Sequence, residues 1–414
     1  MRITKEDARR FVISKQCFQF PQLDDVSKEQ VFRVLEALGC VQIDTISVVE
    51  RSHYLVIWSR LGNYRKEFLD QLLYPDRRVF EYWAHAASII PIEYYRYFLH
   101  AMKERQKEMH AKAKRWLKEK ASLLDTVLRE IKREGPLCSK NFRTEDKQKK
   151  KEANGWWNWK PAKIALELLY NAGVLMVARR EKFQKYYDLT ENVLPSGADT
   201  SEPTEKERQR FFLEKTLQAW GTAEPKDIGY YFYTWSTKTN VGVKALSSLV
   251  RELEKEGIIM QVHIEGYKSP CLILSRELEN LERIVDTKEQ KNIISFVSPF
   301  DNLTWGKPRM HKLFDFHTTL ETYIPKATRK FGYYTLNILH NNQLVGRLDP
   351  KMHRDKATLE IKTLELKKGF KPTREFKEQF PLVLGDFMKF HNAETAKIPE
   401  NYRQMTKNAR LAPS

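Results

Sequence analysis

The sequence KPAKIALELLYNAGVLMVARREKFQKYYDL, residues 160–189, gives a clear indication of how this chain folds. Its apolar residues recur first at helical spacing and then, after Gly173, form two short runs, 174–177 and 186–189, that are typical of strands. The charged residues between these runs predict the tip of a β-hairpin. An amphipathic helix precedes the stretch. Helix, helix and hairpin in this order predict a winged-helix domain over residues 121–195.

The same plan returns further along the chain, after a polar linker over residues 194–203. Its helices and strands are predicted over residues 211–219, 243–256, 258–262 and 269–274. They define a second winged-helix domain over residues 205–280. Residues 1–120 are predicted to form an N-terminal helical domain that holds a third, more degenerate copy of the unit.

From residue 292 onward the apolar spacing changes from the helical period to the strand period. Two alternating runs, 333–339 and 344–348, predict a hairpin, and a helix is predicted over 375–391. These elements predict a small C-terminal β-domain with a terminal helix over residues 290–395. The fold class that follows is mainly α with β wings, an α+β protein in which tandem winged-helix domains precede the β-domain.

Charge points to a polyanionic partner. The 414 residues carry 72 Lys plus Arg against 54 Asp plus Glu, which gives a formal net charge of +18 and a sequence pI near 9.5. Such a balance attracts nucleic acid over long range, although an anionic membrane surface or plain solubility would fit it equally well. No apolar run approaches the ~20 residues of a membrane-spanning helix. We therefore expect no membrane association and a cytoplasmic, nucleoid-associated protein.

The cysteine and histidine patterns give no sign of a bound metal. The four cysteines, Cys17, Cys40, Cys138 and Cys271, are far apart in the sequence and stand mostly among apolar residues. They are typical of reduced core residues. The ten histidines do not combine with cysteines or carboxylates at ligand spacing. We therefore expect no metal and no other cofactor.

The motif VQIDT, residues 41–45, places an amide and a carboxylate close together in this basic chain. It follows a predicted helix that Gly39 is expected to end. Residues two apart in an extended segment point to the same face, so Gln42 and Asp44 are expected to project together and hold a water molecule. In the alternative interpretation, Gln42 is a solvated strand residue and Asp44 closes a turn through Thr45.

Further segments accompany this motif in a fixed order. They are VVERSH at 48–53, WSRLG at 58–62, FEYWAHAAS at 80–88, WWNWKPAK at 156–163 and SPFDNLTW at 298–305. Read together with the Gln-Ile-Asp motif, they resemble the YcaQ family of crosslink-repair DNA glycosylases, the AlkZ relatives with winged-helix DNA-binding domains. The resemblance extends from about residue 5 to about residue 390.

The resemblance implies a DNA repair enzyme of base excision repair that hydrolyses the N-glycosidic bond of N7-alkylated purines and unhooks interstrand crosslinks. Family members use a Gln-apolar-Gln or Gln-apolar-Asp motif, and Gln42-Ile43-Asp44 has the second form. A positively charged N7-alkylpurine leaves without a general acid, so one carboxylate can activate water and offset the cationic sugar. Asp44 is expected to activate this water and Gln42 to position it. The motif contains no lysine nucleophile, which predicts a monofunctional enzyme.

His85 has two interpretations. The resemblance places it close to the lesion, whereas a lone histidine in apolar surroundings is typical of a structural hydrogen-bonding residue. The cationic residues expected to contact DNA belong to the motif region, to a basic insert and to the first hairpin tip: Arg51, Lys150, Lys151, Arg179, Arg180, Lys182 and Lys185.

The expected partner is double-stranded DNA that contains alkylated or crosslinked purines, bound by a monomer. A non-catalytic winged-helix transcriptional regulator is the alternative function. The repeated winged helix favours that alternative, and the pairing of Gln42 with Asp44 disfavours it.

Overall fold

The computed structural model describes residues 1–18, 25–117, 122–142, 161–232, 243–287 and 293–402. Among them the helices are α1 (Lys5–Lys15), α2 (Lys28–Leu38), α3 (Ser52–Leu61), α4 (Lys66–Leu73), α5 (Tyr95–Leu117), α6 (Leu123–Glu134), α7 (Pro161–Asn171), α8 (Thr190–Val193), α9 (Glu205–Trp220), α10 (Ile228–Tyr231), α11 (Val243–Lys255), α12 (Leu278–Thr287), α13 (Lys307–Phe314) and α14 (Arg374–Phe390).

The strands are β1 (Arg2–Ile3), β2 (Val41–Gln42), β3 (Val79–Trp83), β4 (Ala87–Pro91), β5 (Leu175–Glu181), β6 (Gln184–Leu189), β7 (Ile259–Ile264), β8 (Cys271–Leu274), β9 (Ile294–Val297), β10 (Leu336–His340), β11 (Gln343–His353), β12 (Thr358–Leu366) and β13 (Thr395–Lys397). They form sheets in the orders β1-β7-β8, β2-β4-β3, β5-β6 and β13-β12-β11-β10-β9. The predicted mixed α+β class is confirmed.

The predicted elements of the first repeat lie where the sequence places them. Helices α6 and α7 are followed by the antiparallel hairpin β5-β6, and Leu137 bridges to Tyr187 at its edge. The two residues between the strands, Lys182 and Phe183, have φ values of +45° and +68°. Positive φ at both central residues is the conformation of a tight type I′ hairpin turn. The hairpin therefore extends further than its apolar residues indicated.

The second repeat includes a strand from the very start of the chain. Helices α9, α10 and α11 lead into the hairpin β7-β8, and β1 joins β7 in parallel, with Arg2 opposite His263. Helix α1 then packs between this hairpin and α13, where Phe11 and Leu313 share one apolar core. The N-terminal 18 residues thus pack with elements more than 240 residues away in sequence. The division into four domains stays a prediction.

The C-terminal sheet and the N-terminal helices share a core. Trp58 of α3 stacks on Phe296 of β9 and meets Phe387 of α14 edge-on, with ring centroids 5.9 and 4.7 Å apart. The hairpin predicted from the alternating runs is formed by β10 and β11, and the predicted terminal helix is α14. This shared core fixes the small sheet β2-β4-β3 next to the five-stranded sheet.

Candidate active site

The Gln-Ile-Asp motif begins on a short edge strand. Helix α2 ends at Gly39, whose φ of +70° is left-handed and whose N–H donates to the Leu35 carbonyl at 2.8 Å. In β2, Val41 lies opposite Ile89 and Gln42 lies opposite Ser88. Val41 is therefore directed to the buried face and the half-buried Gln42 to the other face. The predicted end of this helix at Gly39 is confirmed, and a strand follows it directly.

Asp44 lies just beyond this strand and is only 8% exposed. Its Oδ2 accepts a hydrogen bond from the Ile46 N–H at 3.0 Å, which closes a tight turn. Burial raises the pKa of Asp44 to about 6, although the backbone N–H groups of Ile46 and Thr45 and the charge of Arg51 oppose the rise. A carboxylate with this pKa is ionised at neutral pH and is well matched to accept a proton there. Asp44 therefore closes a turn, as the alternative interpretation expected. It also provides a carboxylate that can accept a proton.

Two further elements hold the chain around the motif. The Ser52 hydroxyl at the start of α3 donates to the Gln42 carbonyl at 2.9 Å. From the C-terminal sheet, Arg354 donates to the carbonyls of Ser47 and Val49 at 3.2 and 2.7 Å. These bonds fix the backbone on both sides of Asp44. Nothing in the sequence around Arg354 indicated this role, because the contact joins segments about 300 residues apart.

His85 lies at the same end of the β2-β4-β3 sheet as Asp44, in the turn between β3 and β4. The sheet brings them together because the Ile43 N–H donates to the Ala87 carbonyl at 2.7 Å. The imidazole stacks on Trp305, with ring centroids 4.0 Å apart, and its Nδ1 lies 3.1 Å from the Tyr230 carbonyl. Burial lowers the pKa of His85, so the ring is neutral at pH 7. These contacts give it a structural partner, and contact with a lesion stays a prediction.

A buried polar network lies beneath the motif, and the sequence analysis did not predict it. Arg60 and Asp301 form a two-pronged ion pair at 2.5 and 2.8 Å, with both side chains fully buried. The next residue, Asn302, donates to the carbonyl of Cys40 at 2.7 Å. The sequence contains a sign of this ion pair, because Arg60 and Asp301 are charged residues inside otherwise apolar segments. A charge that is buried without a partner is costly, so such residues are expected to pair. The SPFDNLTW segment thus supports the backbone just before the motif.

The first hairpin is docked against this region. Arg180 pairs with Glu81 of β3 at 2.6 and 2.8 Å, with side-chain exposures of 13% and 2%. Burial opposes ionisation of Glu81, but the Arg180 guanidinium holds its pKa below the usual value. At the tip, the ring of Phe183 contacts the guanidinium groups of both Arg51 and Arg180, at 3.8 and 4.2 Å from the ring centroid. A cavity of about 270 Å³ between the tip and Ile43 is lined by these same side chains.

The cations predicted to contact DNA differ in their exposure and in whether they form ion pairs. Arg179 is paired with Glu181 on the surface, and Lys182 is exposed at the tip. Lys185 lies against the Tyr170 ring and 3.9 Å from Glu167. Arg180 is occupied by Glu81, as described above. Lys150 and Lys151 lie outside the described residues.

Two absences hold for the part of the chain that the structure describes. No group of three or more His, Cys, Asp or Glu side chains is arranged to hold a metal ion. No helix in these residues is long and apolar enough to cross a membrane.

Comparison with known proteins identifies the family. The family described as "DNA glycosylase AlkZ-like" matches residues 35–376, a segment that begins within α2 and ends within α14. Among solved structures, the DNA glycosylase AlkZ of Streptomyces sahachiroi has a similar fold, with a TM-score of 0.63 at 13% sequence identity, over 96% of this chain and 100% of that chain. The matched segment contains the motif at residues 41–45, the His85 turn and the SPFDNLTW segment. The chain belongs to the AlkZ-like DNA glycosylase family.

Proposed function

We propose that this DNA glycosylase hydrolyses the N-glycosidic bond of N7-alkylated purines, including purines tethered in interstrand crosslinks. The observation that carries the proposal is the buried Asp44 carboxylate, which has a pKa raised to about 6 and stands on a backbone fixed from both sides. Such a group accepts a proton at neutral pH and offsets positive charge in a poorly solvated site.

The proposed reaction needs only water as a co-reactant. The C1′–N9 bond breaks, and its electron pair leaves with the alkylated base, which becomes neutral. Water attacks C1′ of the cationic sugar while Asp44 accepts one of its protons, and the Gln42 amide positions that water. The products are a free base and an abasic site. No protein nucleophile becomes attached to the sugar, so the enzyme is monofunctional.

DNA binding is assigned to the two repeats of helices and hairpin, which we interpret as tandem winged helices. The half-buried Arg179 and the exposed Lys182 at the first hairpin are assigned to phosphate contacts, and the net charge of +18 attracts the duplex. The protein is proposed to act as a cytoplasmic, nucleoid-associated monomer in base excision repair. Arg180 is assigned to hold the hairpin in place through Glu81.

The test uses a duplex with one N7-methylguanine, incubated with the protein in the presence of a chelator. We expect release of the free base and a DNA strand that breaks only after treatment with alkali. Borohydride should trap no covalent adduct, because a monofunctional enzyme forms no Schiff base. A uracil-containing duplex is the matched control and should stay intact, since uracil is a poor leaving group without acid assistance. Tight sequence-selective binding without base release would instead favour the transcriptional regulator.

A further inference from the structure

The segment that joins α13 to the C-terminal sheet displays two large apolar residues to solvent. Tyr323 is 81% exposed and the adjacent Ile324 is 37% exposed. Among the residues that the structure describes, the segment between α13 and β10 contains one regular element, a short 3₁₀ turn at Lys326–Thr328. Exposed neighbouring apolar side chains are unfavourable in water and commonly mark a contact surface.

This segment is held rigidly, although it has little secondary structure. The buried Glu321 carboxylate accepts the backbone N–H groups of Lys330, Phe331 and Gly332 at 3.2, 2.8 and 3.1 Å. Arg329 Nε crosses the loop and donates to the Ile324 carbonyl at 2.8 Å. The loop therefore presents its tip in a fixed conformation.

A second carboxylate fastens the end of the loop. Asp349 of β11 accepts the backbone N–H groups of Tyr333 and Tyr334, both at 3.1 Å. Gly332 has a φ of +142°, and a Cβ at this residue would collide with Asp349. Thr322 donates to the Tyr333 carbonyl at 2.8 Å, which joins the start of the loop to its end. Tyr323 thus directly follows Thr322, which is hydrogen-bonded to the fixed end of the loop at Tyr333.

That fixed end, the anchor of the loop, adjoins the candidate active site. Tyr334 is fully buried, and its hydroxyl lies 3.1 Å from Ser298 Oγ in the SPFDNLTW segment. Burial raises the pKa of Tyr334, and the negative charge of Asp44 raises it further. Ser298 lies in the same SPFDNLTW segment as Asn302, whose side chain donates to the Cys40 carbonyl just before the motif, so the anchor of the loop is joined to the backbone that leads into the motif.

The charge of the loop matches a phosphate backbone. Residues 322–332 contain Lys326, Arg329 and Lys330 and no Asp or Glu. Lys326 and Lys330 are exposed, and neither forms an ion pair with any residue that the structure describes. Apolar side chains flanked by free cations are the combination that proteins use to separate stacked base pairs while holding the adjacent phosphates.

We infer that Tyr323 and Ile324 form a wedge that inserts between base pairs of duplex DNA next to the lesion, while Lys326 and Lys330 bind the flanking phosphates. This inference rests on the proposed function, because it assigns the loop to the same DNA substrate. The wedge unstacks the duplex at the damaged step and admits the C1′ carbon to Asp44. Stacking requires the ring of Tyr323, whereas its hydroxyl is dispensable.

The experiment measures unstacking apart from catalysis, in the Asp44→Asn protein bound to an N7-methylguanine duplex. Thymines next to the lesion are probed with permanganate, which oxidises unstacked thymine. Their reactivity should rise in the complex, stay high with Tyr323→Phe and return to the level of free DNA with Tyr323→Ala. Leu382→Ala, which removes a 64% exposed apolar side chain from α14, is the matched control and should behave like the parent.

With Asp44 intact, Tyr323→Ala should slow single-turnover excision roughly tenfold or more without lowering the melting temperature of the protein. Equal permanganate reactivity with Tyr323→Ala and the parent would overturn the wedge, and would assign the exposed ring to another partner such as a protein. The two proposals fail separately. If the protein releases no base but Tyr323 still governs thymine reactivity, the wedge stands and the glycosylase mechanism falls.

Discussion

The guanidinium carbon of Arg51 lies 3.8 Å from the centroid of the Phe183 ring. Arg51 belongs to the loop that follows Asp44 and lowers the pKa of that carboxyl by its charge, whereas Phe183 forms the tip of the β5-β6 hairpin. This contact connects the docked hairpin to the electrostatics of the candidate active site.

Removing the charge of Arg51 should weaken Asp44 as an acid. In Arg51→Met, the pKa of Asp44 rises because its cationic neighbour is lost, so the pH at which excision reaches half its plateau moves upward. Phe183→Leu should move this pH in the same direction by a smaller amount, since Arg51 stays but loses its support. Single-turnover excision measured against pH checks both variants. An unchanged midpoint in Arg51→Met would show that Arg51 does not act on Asp44.

The unmodified enzyme should lose activity in mild acid. Asp44 accepts a proton only when ionised, and burial raises its pKa to about 6, so the rate should fall as the pH drops through about 6 and stay level above it. The uncatalysed loss of the alkylated base is measured in parallel and subtracted. A rate that rises as the pH falls through this region would contradict a general base with this pKa.

Asp44→Asn should stabilise the protein at neutral pH. The pKa of the Asp44 carboxyl is about 6 in the folded protein, whereas its ordinary value is 3.8. The folded state therefore holds the proton more tightly than the unfolded chain, and the free energy of unfolding falls as the pH rises between these two values. The variant lacks this loss, and its amide oxygen can still accept the Ile46 N–H. We expect a gain on the order of 1 kcal/mol at about pH 8, shrinking towards about pH 5. Urea denaturation at both values tests this, and a loss of stability at the higher pH would contradict it.

Substitutions of the hairpin cations should have two different effects, one on protein stability and the other on DNA binding. Arg180→Ala leaves the buried Glu81 charge without its partner and should lower the free energy of unfolding by about 3–5 kcal/mol. Arg179→Ala combined with Lys182→Ala should leave stability nearly unchanged but reduce the salt dependence of DNA binding, because each lost phosphate contact lowers the slope by about 0.9. Urea denaturation and binding measured over a salt series distinguish them. An unaltered slope in the double variant would mean that the hairpin faces away from DNA.

Local patterns predicted most helices and hairpins, because their signals lie within a few residues. Gly39 ends α2 as expected, and α14 occupies Arg374–Phe390 where a helix over 375–391 was predicted. The extent of β5 was underestimated because Arg180 looks solvated in sequence, although Glu81 of another strand buries it. Likewise, Tyr333 and Tyr334 have a strand-like pattern, but they precede β10, since their N–H groups donate to Asp349.

Long-range pairings were beyond the reach of the sequence alone. Nothing near Arg2 indicates that β1 adds to β7, and nothing near Arg354 indicates that it holds the backbone after Asp44. The candidate site could be predicted as a motif because Gln42 and Asp44 are sequence neighbours. The buried ion pair that supports this site could not be predicted, because Arg60 and Asp301 meet only after the chain has folded.

Base release by Asp44→Asn is the decisive measurement of whether Asp44 activates water. Parent and variant are compared under single-turnover conditions on a duplex with one N7-methylguanine, after binding measurements have shown equal affinity. We expect the variant to bind as the parent does but to release the base about 10²- to 10⁴-fold more slowly, the usual contribution of a general base. Excision at the parental rate by the folded variant would contradict the assignment of Asp44 as the residue that activates water.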